Sequence, residues 1–150
     1  MKPISLFSII VVLCLVFGAC KCHKSAVVNS QAKFDVEDVW ILSEMQGKEV
    51  TVAPGQKKPT IEFNPEAGTF NGHGGCNRYF GNFKDLGNGK MELGDVNATK
   101  MACPEPFHKV EGAFMALLRR CDGYNIGEYT LELTQRGNVL LTFEKMIIEK

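Results

Sequence analysis

Two pairs of side chains in the middle of the sequence have the spacing of metal ligands. Two residues separate His73 from Cys76, and four separate Cys103 from His108. Thiolate sulfur and imidazole nitrogen are common zinc ligands, so the two pairs together could supply a tetrahedral site. The thiols are also candidates for disulfide bonds. Which chemistry applies depends on whether the folded part of the chain is in an oxidising compartment.

The N-terminal residues predict export and lipid attachment. Lys2 is followed by the apolar run 4–17, whose helical rise of about 21 Å is short of the roughly 30 Å needed to span a bilayer, so it is typical of a signal peptide. Simple cleavage after Ala19 would leave the bulky Phe17 at position −3, where a small residue is preferred. Residues 17–20 instead resemble a bacterial lipobox, which predicts acylation of Cys20.

The sequence therefore divides into three parts. Residues 1–19 are the predicted lipoprotein signal peptide, residues 20–37 the lipidated cysteine and a flexible polar tether, and residues 38–150 one folded domain. Lys21 is not the aspartate that retains lipoproteins in the inner membrane of enteric bacteria. We therefore expect an outer-membrane lipoprotein whose domain faces the periplasm, with the membrane as a partner through the lipid anchor.

Composition and motifs argue against several functions. The 17 Lys and Arg residues balance 17 Asp and Glu residues, and the charges are scattered, which argues against nucleic-acid binding. The sequence has no HExxH, GxSxG, phosphate-loop or Cys-x-x-Cys motif. We therefore expect neither an enzyme nor a bound cofactor.

Short alternating segments separated by Gly and Asn predict about eight antiparallel strands in residues 38–150. One hairpin joins residues 60–63 to residues 69–72, and another joins residues 131–133 to residues 139–143. In the second hairpin, one face of the last strand is predicted to carry Val139, Leu141 and Phe143.

Residues 104–121 have helical periodicity instead. Their apolar side chains recur at steps of three and four: Phe107, Val110, Phe114, Leu117, Leu118 and Cys121. The predicted fold is α+β and mostly antiparallel β. It consists of a curved sheet or a partly closed β-barrel or roll, with one amphipathic helix packed on it.

Aromatic residues in the predicted strands have two interpretations. They are Phe63, Phe70, Tyr79, Phe80, Phe83 and Phe143. Large side chains at alternate positions fill the interior of a small barrel, which is the preferred interpretation. The alternative is that they line the mouth of the barrel and bind a hydrophobic ligand.

The segment 70–83 resembles the signature of the META domain, the family of the heat-shock lipoprotein HslJ. The matching residues are Gly75, Cys76, Asn77, Tyr79 and Gly81, followed further along by Thr99, Met101, Ala102 and Cys103. Glu111, Phe114 and Leu118 of the predicted helix also fall in the family's order, and the resemblance runs over about residues 38–145. It implies a small antiparallel β-roll or barrel with one helix. It also implies an envelope protein with no established enzyme activity, linked to stress and antibiotic tolerance or, in some organisms, to secretion and virulence. Together with the lipobox and the tether, it predicts a binding or scaffold module that contacts another envelope protein or a hydrophobic molecule.

The resemblance also favours one cysteine pairing. Both Cys76 and Cys103 lie in the family's motifs, and export implies an oxidising compartment, so a bridge between them is preferred. A periplasmic metal-binding or thiol-redox centre built on these cysteines, His73 and His108 is the alternative. Cys121 is expected to be a small core residue, with a bridge to Cys22 as the other possibility.

The turn that carries the motif has its own prediction. Gly74, Gly75 and Asn77 are expected to provide backbone conformations with positive φ.

Overall fold

The computed structural model describes residues 38–147, which form ten β-strands and one α-helix. In chain order these are β1 (Val39–Met45), β2 (Lys48–Glu49), β3 (Thr60–Asn64), β4 (Thr69–His73), β5 (Arg78–Gly87), β6 (Lys90–Leu93), β7 (Asn97–Ala98), α1 (Glu105–Leu118), β8 (Gly123–Ile126), β9 (Thr130–Gln135) and β10 (Asn138–Lys145). The predicted signal peptide, Cys20 and the tether lie outside the described residues. The one helix in residues 38–147 lacks the length and hydropathy of a membrane-spanning segment.

Eight of these strands form a closed antiparallel barrel. The strand order is β1-β3-β4-β5-β6-β8-β9-β10, and β10 pairs back with β1. An ion pair between Lys145 and Asp38 lies at this closing seam, where the Lys145 ammonium group also lies 5.8 Å from the centre of the Trp40 ring. The predicted α+β fold is confirmed, and the barrel is closed rather than partly open. Because closure gives residues 38–147 a complete core of their own, we expect them to fold without the preceding segment.

Three strand connections are two-residue turns, each of which fixes the register of the two strands it joins. In each turn both residues have positive φ: Gln46 and Gly47, Asn88 and Gly89, and Arg136 and Gly137. This is the type I′ geometry, whose twist matches that of the strands it joins.

Aromatic and aliphatic side chains fill the interior of the barrel. Phe63, Phe70, Tyr79, Phe83 and Phe143 are all buried, as the preferred interpretation required. Phe80 is the exception, with 57% exposure. It follows Tyr79 on β5, so the alternation of strand side chains directs it to the outer face.

The helix completes this core. The ring of Phe114 lies 5.5 Å from that of Tyr79 and 6.3 Å from that of Phe143, measured between centroids. Leu117 and Leu118 are also buried, as the helical periodicity predicted, whereas Phe107 and Val110 of the same face are only half-buried. The helix ends at Leu118, before the predicted residue 121, and Cys121 is buried just beyond it. Cys121 is a free thiol, and burial, together with the charge of Asp122, raises its pKa to about 12. The cysteine is therefore a core residue.

The predicted face of the last strand is wrong at one position. The pairing of β10 with β9 shifts register between Val139 and Leu141, which marks a β-bulge. Leu140 and Leu141 are consequently both buried, whereas Val139 is exposed. A bulge breaks the alternation on which the prediction depended.

Gly72 on β4 is a position where a side chain cannot be accommodated. A Cβ atom there would overlap the carbonyl oxygen of Thr60 and lie 2.7 Å from the hydroxyl oxygen of Tyr79, which donates a 2.6 Å hydrogen bond to that carbonyl.

Gly72→Ala is expected to lower the free energy of unfolding by about 1 to 3 kcal/mol, measured by urea denaturation. The matched control is Gly112→Ala, because a Cβ at this exposed helical position meets no atom within 4 Å. It should stabilise the protein by about 0.5 to 1 kcal/mol. Equal stability of the two variants would contradict the close approach at Gly72.

Candidate functional site

The carboxylate of Glu111 organises the loop that carries the family motif. From α1 it accepts hydrogen bonds at one oxygen, Oε2, from the backbone N–H groups of Cys76 (3.0 Å) and Asn77 (2.5 Å). The other oxygen, Oε1, accepts a 2.7 Å hydrogen bond from the side-chain amide of Asn77. Charge-assisted hydrogen bonds of this kind are stronger than neutral ones, so Glu111 holds the loop between β4 and β5 against the helix.

Asn77 connects this loop to a third segment. Its side-chain oxygen accepts hydrogen bonds from the Thr99 hydroxyl (2.9 Å) and from the backbone N–H of Met101 (2.8 Å). Asn77 is buried, and both polar atoms of its side chain have partners. The motif therefore joins the β4–β5 loop, the segment before α1 and the helix itself.

A disulfide between Cys76 and Cys103 links the same segments covalently. The two Cα atoms are 6.2 Å apart, within the ordinary range for a disulfide. The side-chain nitrogen of Asn77 also lies 3.6 Å from the Cys103 sulfur. The pairing that the resemblance favoured is thus present in the structure.

The disulfide weighs against the alternative metal centre, because bonded sulfur atoms are not thiolate ligands. Both sulfur atoms of the proposed ligand set are bonded to each other, and Nδ1 of His73 accepts a 3.0 Å hydrogen bond from the N–H of Gly75. His108 is exposed on α1. In the part of the chain that the structure describes, no group of three or more His, Cys, Asp and Glu side chains is placed to hold a metal ion.

The prediction for the motif turn is correct at only one of its three residues. Gly75 has φ of 115°, as expected. Gly74 has no positive φ; it is packed instead, because a Cβ atom there would lie 3.0 Å from Oε2 of Glu111. Asn77 also lacks a positive φ and serves as a hydrogen-bonding residue. Amide side chains suit both roles, so the sequence could not separate them.

Glu111 is an anion that its hydrogen bonds stabilise. Desolvation alone would raise the pKa of its carboxyl group. The hydrogen bonds from Asn77 and Cys76, with the nearby His108, outweigh that effect and lower the pKa below its usual range. The carboxylate therefore remains charged at neutral pH.

Sequence reasoning did not give Glu111 its role, although a signal was present. The residue interrupts the helix face formed by Phe107, Val110, Phe114 and Leu118, and a carboxylate on an apolar face usually has a partner. Gln56 was missed without any such signal. It is buried and donates a 3.2 Å hydrogen bond to the carbonyl oxygen of Phe107.

The other motif residues differ in what they contribute. The buried Tyr79 ring belongs to the core, and Gly81 allows close packing because a Cβ there would lie 2.6 Å from the Phe70 ring. Met101 supplies a backbone N–H while its side chain is exposed. Ala102 is exposed, and nothing in the structure explains its place in the motif.

These features define a class of protein: a closed antiparallel β-barrel covered by one helix, with a disulfide and a Glu–Asn cluster that join the helix to the motif loop. The sequence profile of the META domain matches residues 33–147, and the chain belongs to the META domain family. The resemblance found in the motifs is thereby confirmed. A comparison with curated proteins finds no significant match.

Two solved structures share the fold. An NMR structure of a protein from Burkholderia xenovorans is 25% identical, with a TM-score of 0.57 over 84% of this chain and 98% of that one. A second NMR structure is 23% identical, with a TM-score of 0.54 over 73% of this chain and 89% of that one.

Proposed function

We propose that this META domain protein is a non-enzymatic lipoprotein of the cell envelope. The barrel is a binding or scaffold module that acts during envelope stress or antibiotic exposure. Cys20 carries the lipid, and residues 21–37 form the tether that holds the domain away from the membrane. We propose further that the protein is located at the outer membrane, with its domain facing the periplasm.

One observation carries the binding or scaffold role: the polar groups of the motif are bonded to one another. Glu111, Asn77 and Thr99 form a closed set of hydrogen bonds, and the sulfur atoms of Cys76 and Cys103 are bonded. Among the described residues, no buried side-chain nitrogen or oxygen lacks a hydrogen-bond partner. A cluster satisfied in this way stabilises a scaffold. The surfaces that remain for a partner lie on the outside of the barrel.

The lipid anchor is tested by mass spectrometry of the protein isolated from its own envelope. The N-terminal peptide should begin at Cys20 and carry acyl groups, and Cys20→Ala should abolish this modification because no thiol remains at that position. Cys22→Ala is the matched control and should keep the modification. An unmodified Cys20 in the wild-type chain would contradict the proposal.

The orientation needs a separate experiment on whole cells. External protease should leave residues 38–150 uncut, whereas the same protease should cleave the domain once the outer membrane is permeabilised. Cleavage of the domain in intact cells would show that it faces outward.

A further inference from the structure

A groove of about 740 Å³ lies on the outer surface of the barrel beside the motif loop. The strand register places Ile41 beside Thr60, Thr60 beside His73, and His73 beside Arg78, in one row across β1, β3, β4 and β5. Inward-facing neighbours of this row, such as Trp40 on β1, are buried, so the row faces outward. The volume falls within the range of small-molecule sites.

One end of the groove is apolar. Val39 and Ile41 of β1 line it and are half-buried, and Met146, just after β10, lines it with 38% of its surface exposed. The next residue, Ile147, is 72% exposed. Apolar side chains that meet in a concave surface are typical of a site that covers a hydrocarbon group.

The other end of the groove is cationic. Lys57, Lys58, His73 and Arg78 line it. The one acidic residue of the lining, Glu62, is paired with Val39 in the strand register and so lies beside the apolar end. Among residues 38–147, no carboxylate lies within ion-pair distance of Lys57, Lys58 or Arg78. Residues 38–147 therefore leave these positive charges available to a negative charge from elsewhere.

The pKa of His73 is lowered mainly by burial, with a further contribution from the cations of the groove. Burial lowers its pKa, and Lys57 and Arg78 lower it further. Glu111 and the hydrogen bond within the motif loop act in the opposite direction without reversing the shift. Lys57, in the segment before β3, and Arg78, at the start of β5, thus both place positive charge near the imidazole.

We infer that this groove binds a single-chain anionic amphiphile, with its head group against Lys57 and Arg78 and its hydrocarbon tail along Val39, Ile41 and Met146. The head group is a carboxylate or a phosphate, since both are anions that lysine and arginine recognise. Charge complementarity at one end and apolar lining at the other select this ligand over a free anion or a neutral lipid. The inference rests on the proposed function, because it gives the binding module a site and a ligand class.

The experiment uses the chain from residue 21 onward, whose closed barrel contains a complete core. Dodecanoate, kept below its micelle-forming concentration, is titrated by calorimetry, and its binding position is mapped from NMR shifts of backbone amides. We expect one binding event with shifts in β1, β3 and β4. Acetate, inorganic phosphate and dodecanol should each bind at least tenfold more weakly, because each lacks the tail or the charge. Comparison of dodecanoate with dodecyl phosphate identifies the preferred head group.

Substitutions at each end of the groove complete the test. Lys57→Gln combined with Arg78→Gln should weaken dodecanoate binding at least tenfold, and Ile41→Thr should weaken it while preserving a β-branched side chain on β1. The matched control is Lys84→Gln, since Lys84 is exposed on β5 but does not line the groove. Its affinity should stay within twofold of the wild type.

Three results would overturn the inference: no binding of dodecanoate, NMR shifts confined to another surface, or equal loss of affinity in the Lys84→Gln control. Each measurement is made without a lipid anchor. A failure here would therefore reject the groove and leave the anchor at Cys20 standing. An unmodified Cys20 would reject the anchor and leave the groove standing.

Discussion

Replacement of both Cys76 and Cys103 by alanine is expected to lower the free energy of unfolding by about 3 to 4 kcal/mol. The two residues are 27 positions apart in the sequence, and the chain-entropy estimate for a loop of this length gives a stabilisation of that size. The disulfide also joins the same segments that Glu111 and Asn77 connect through hydrogen bonds. Loss of the disulfide is therefore expected to loosen the motif loop in the folded protein and to increase the conformational freedom of the unfolded chain.

Urea denaturation of the variant and the wild type measures this effect. The internal control is the wild-type protein unfolded with and without reductant, which should reproduce the same difference without any substitution. Cys121→Ala tests specificity, because it removes the free thiol of the core without affecting the disulfide. If the reduced and oxidised wild-type proteins were equally stable, the bond would contribute nothing to folding.

Glu111→Gln is expected to lower the free energy of unfolding by about 2 to 4 kcal/mol at neutral pH. The carboxylate accepts three hydrogen bonds through its two oxygens, and all three donors belong to Cys76 and Asn77. Glutamine keeps the shape of the side chain but replaces one carboxylate oxygen with an NH₂ group. An N–H donor of the motif loop then faces another donor instead of an acceptor. A buried donor left without an acceptor costs about 1 to 3 kcal/mol, and charged partners increase the loss.

The effect of this substitution should depend on pH in a defined direction. The pKa of Glu111 is lowered in the folded protein from its ordinary value of 4.5. Its stabilising contribution is therefore complete above the pKa of the unfolded chain, and it is lost as pH falls through the folded pKa. The difference in stability between wild type and Glu111→Gln should be largest at neutral pH and should shrink below about pH 4.5.

The matched control for this series is Glu92→Gln, which makes the same chemical change at an exposed position on β6. Its stability should follow that of the wild type at every pH. A difference between wild type and Glu111→Gln that stayed constant from pH 7 to pH 3 would contradict the charged hydrogen bonds. It would point to altered packing instead.

Much of the secondary structure could be read from the sequence because it depends on neighbours in the chain. Alternation predicted the hairpin of β3 and β4, and steps of three and four predicted the helix from Phe107 to Leu118. The same local reasoning predicted no strand between the helix and residue 131, where β8 begins at Gly123. It also missed the bulge that exposes Val139, because a bulge depends on the partner strand.

The site was predictable in part. The motif resemblance identified Cys76, Cys103 and Asn77, since a signature of this kind is a short pattern in the sequence. It did not assign the partner of Asn77, because Glu111 lies 34 residues away and meets it only when α1 packs against the motif loop. The signal peptide, the acylation of Cys20 and the location in the envelope stay predictions, because they concern residues outside the described part of the chain.

By itself, the sequence determined the helix and most of the strands, which side chains are apolar enough to form the core, and which family motif the chain carries. These properties depend on residue type and local spacing. Only the tertiary structure decided that β10 closes on β1, that Glu111 binds Asn77, and that the row from Ile41 to Arg78 forms a groove with one apolar and one cationic end. Each of these depends on residues far apart in the chain, whose pairing is fixed by the closure of the barrel as a whole and not by any local pattern.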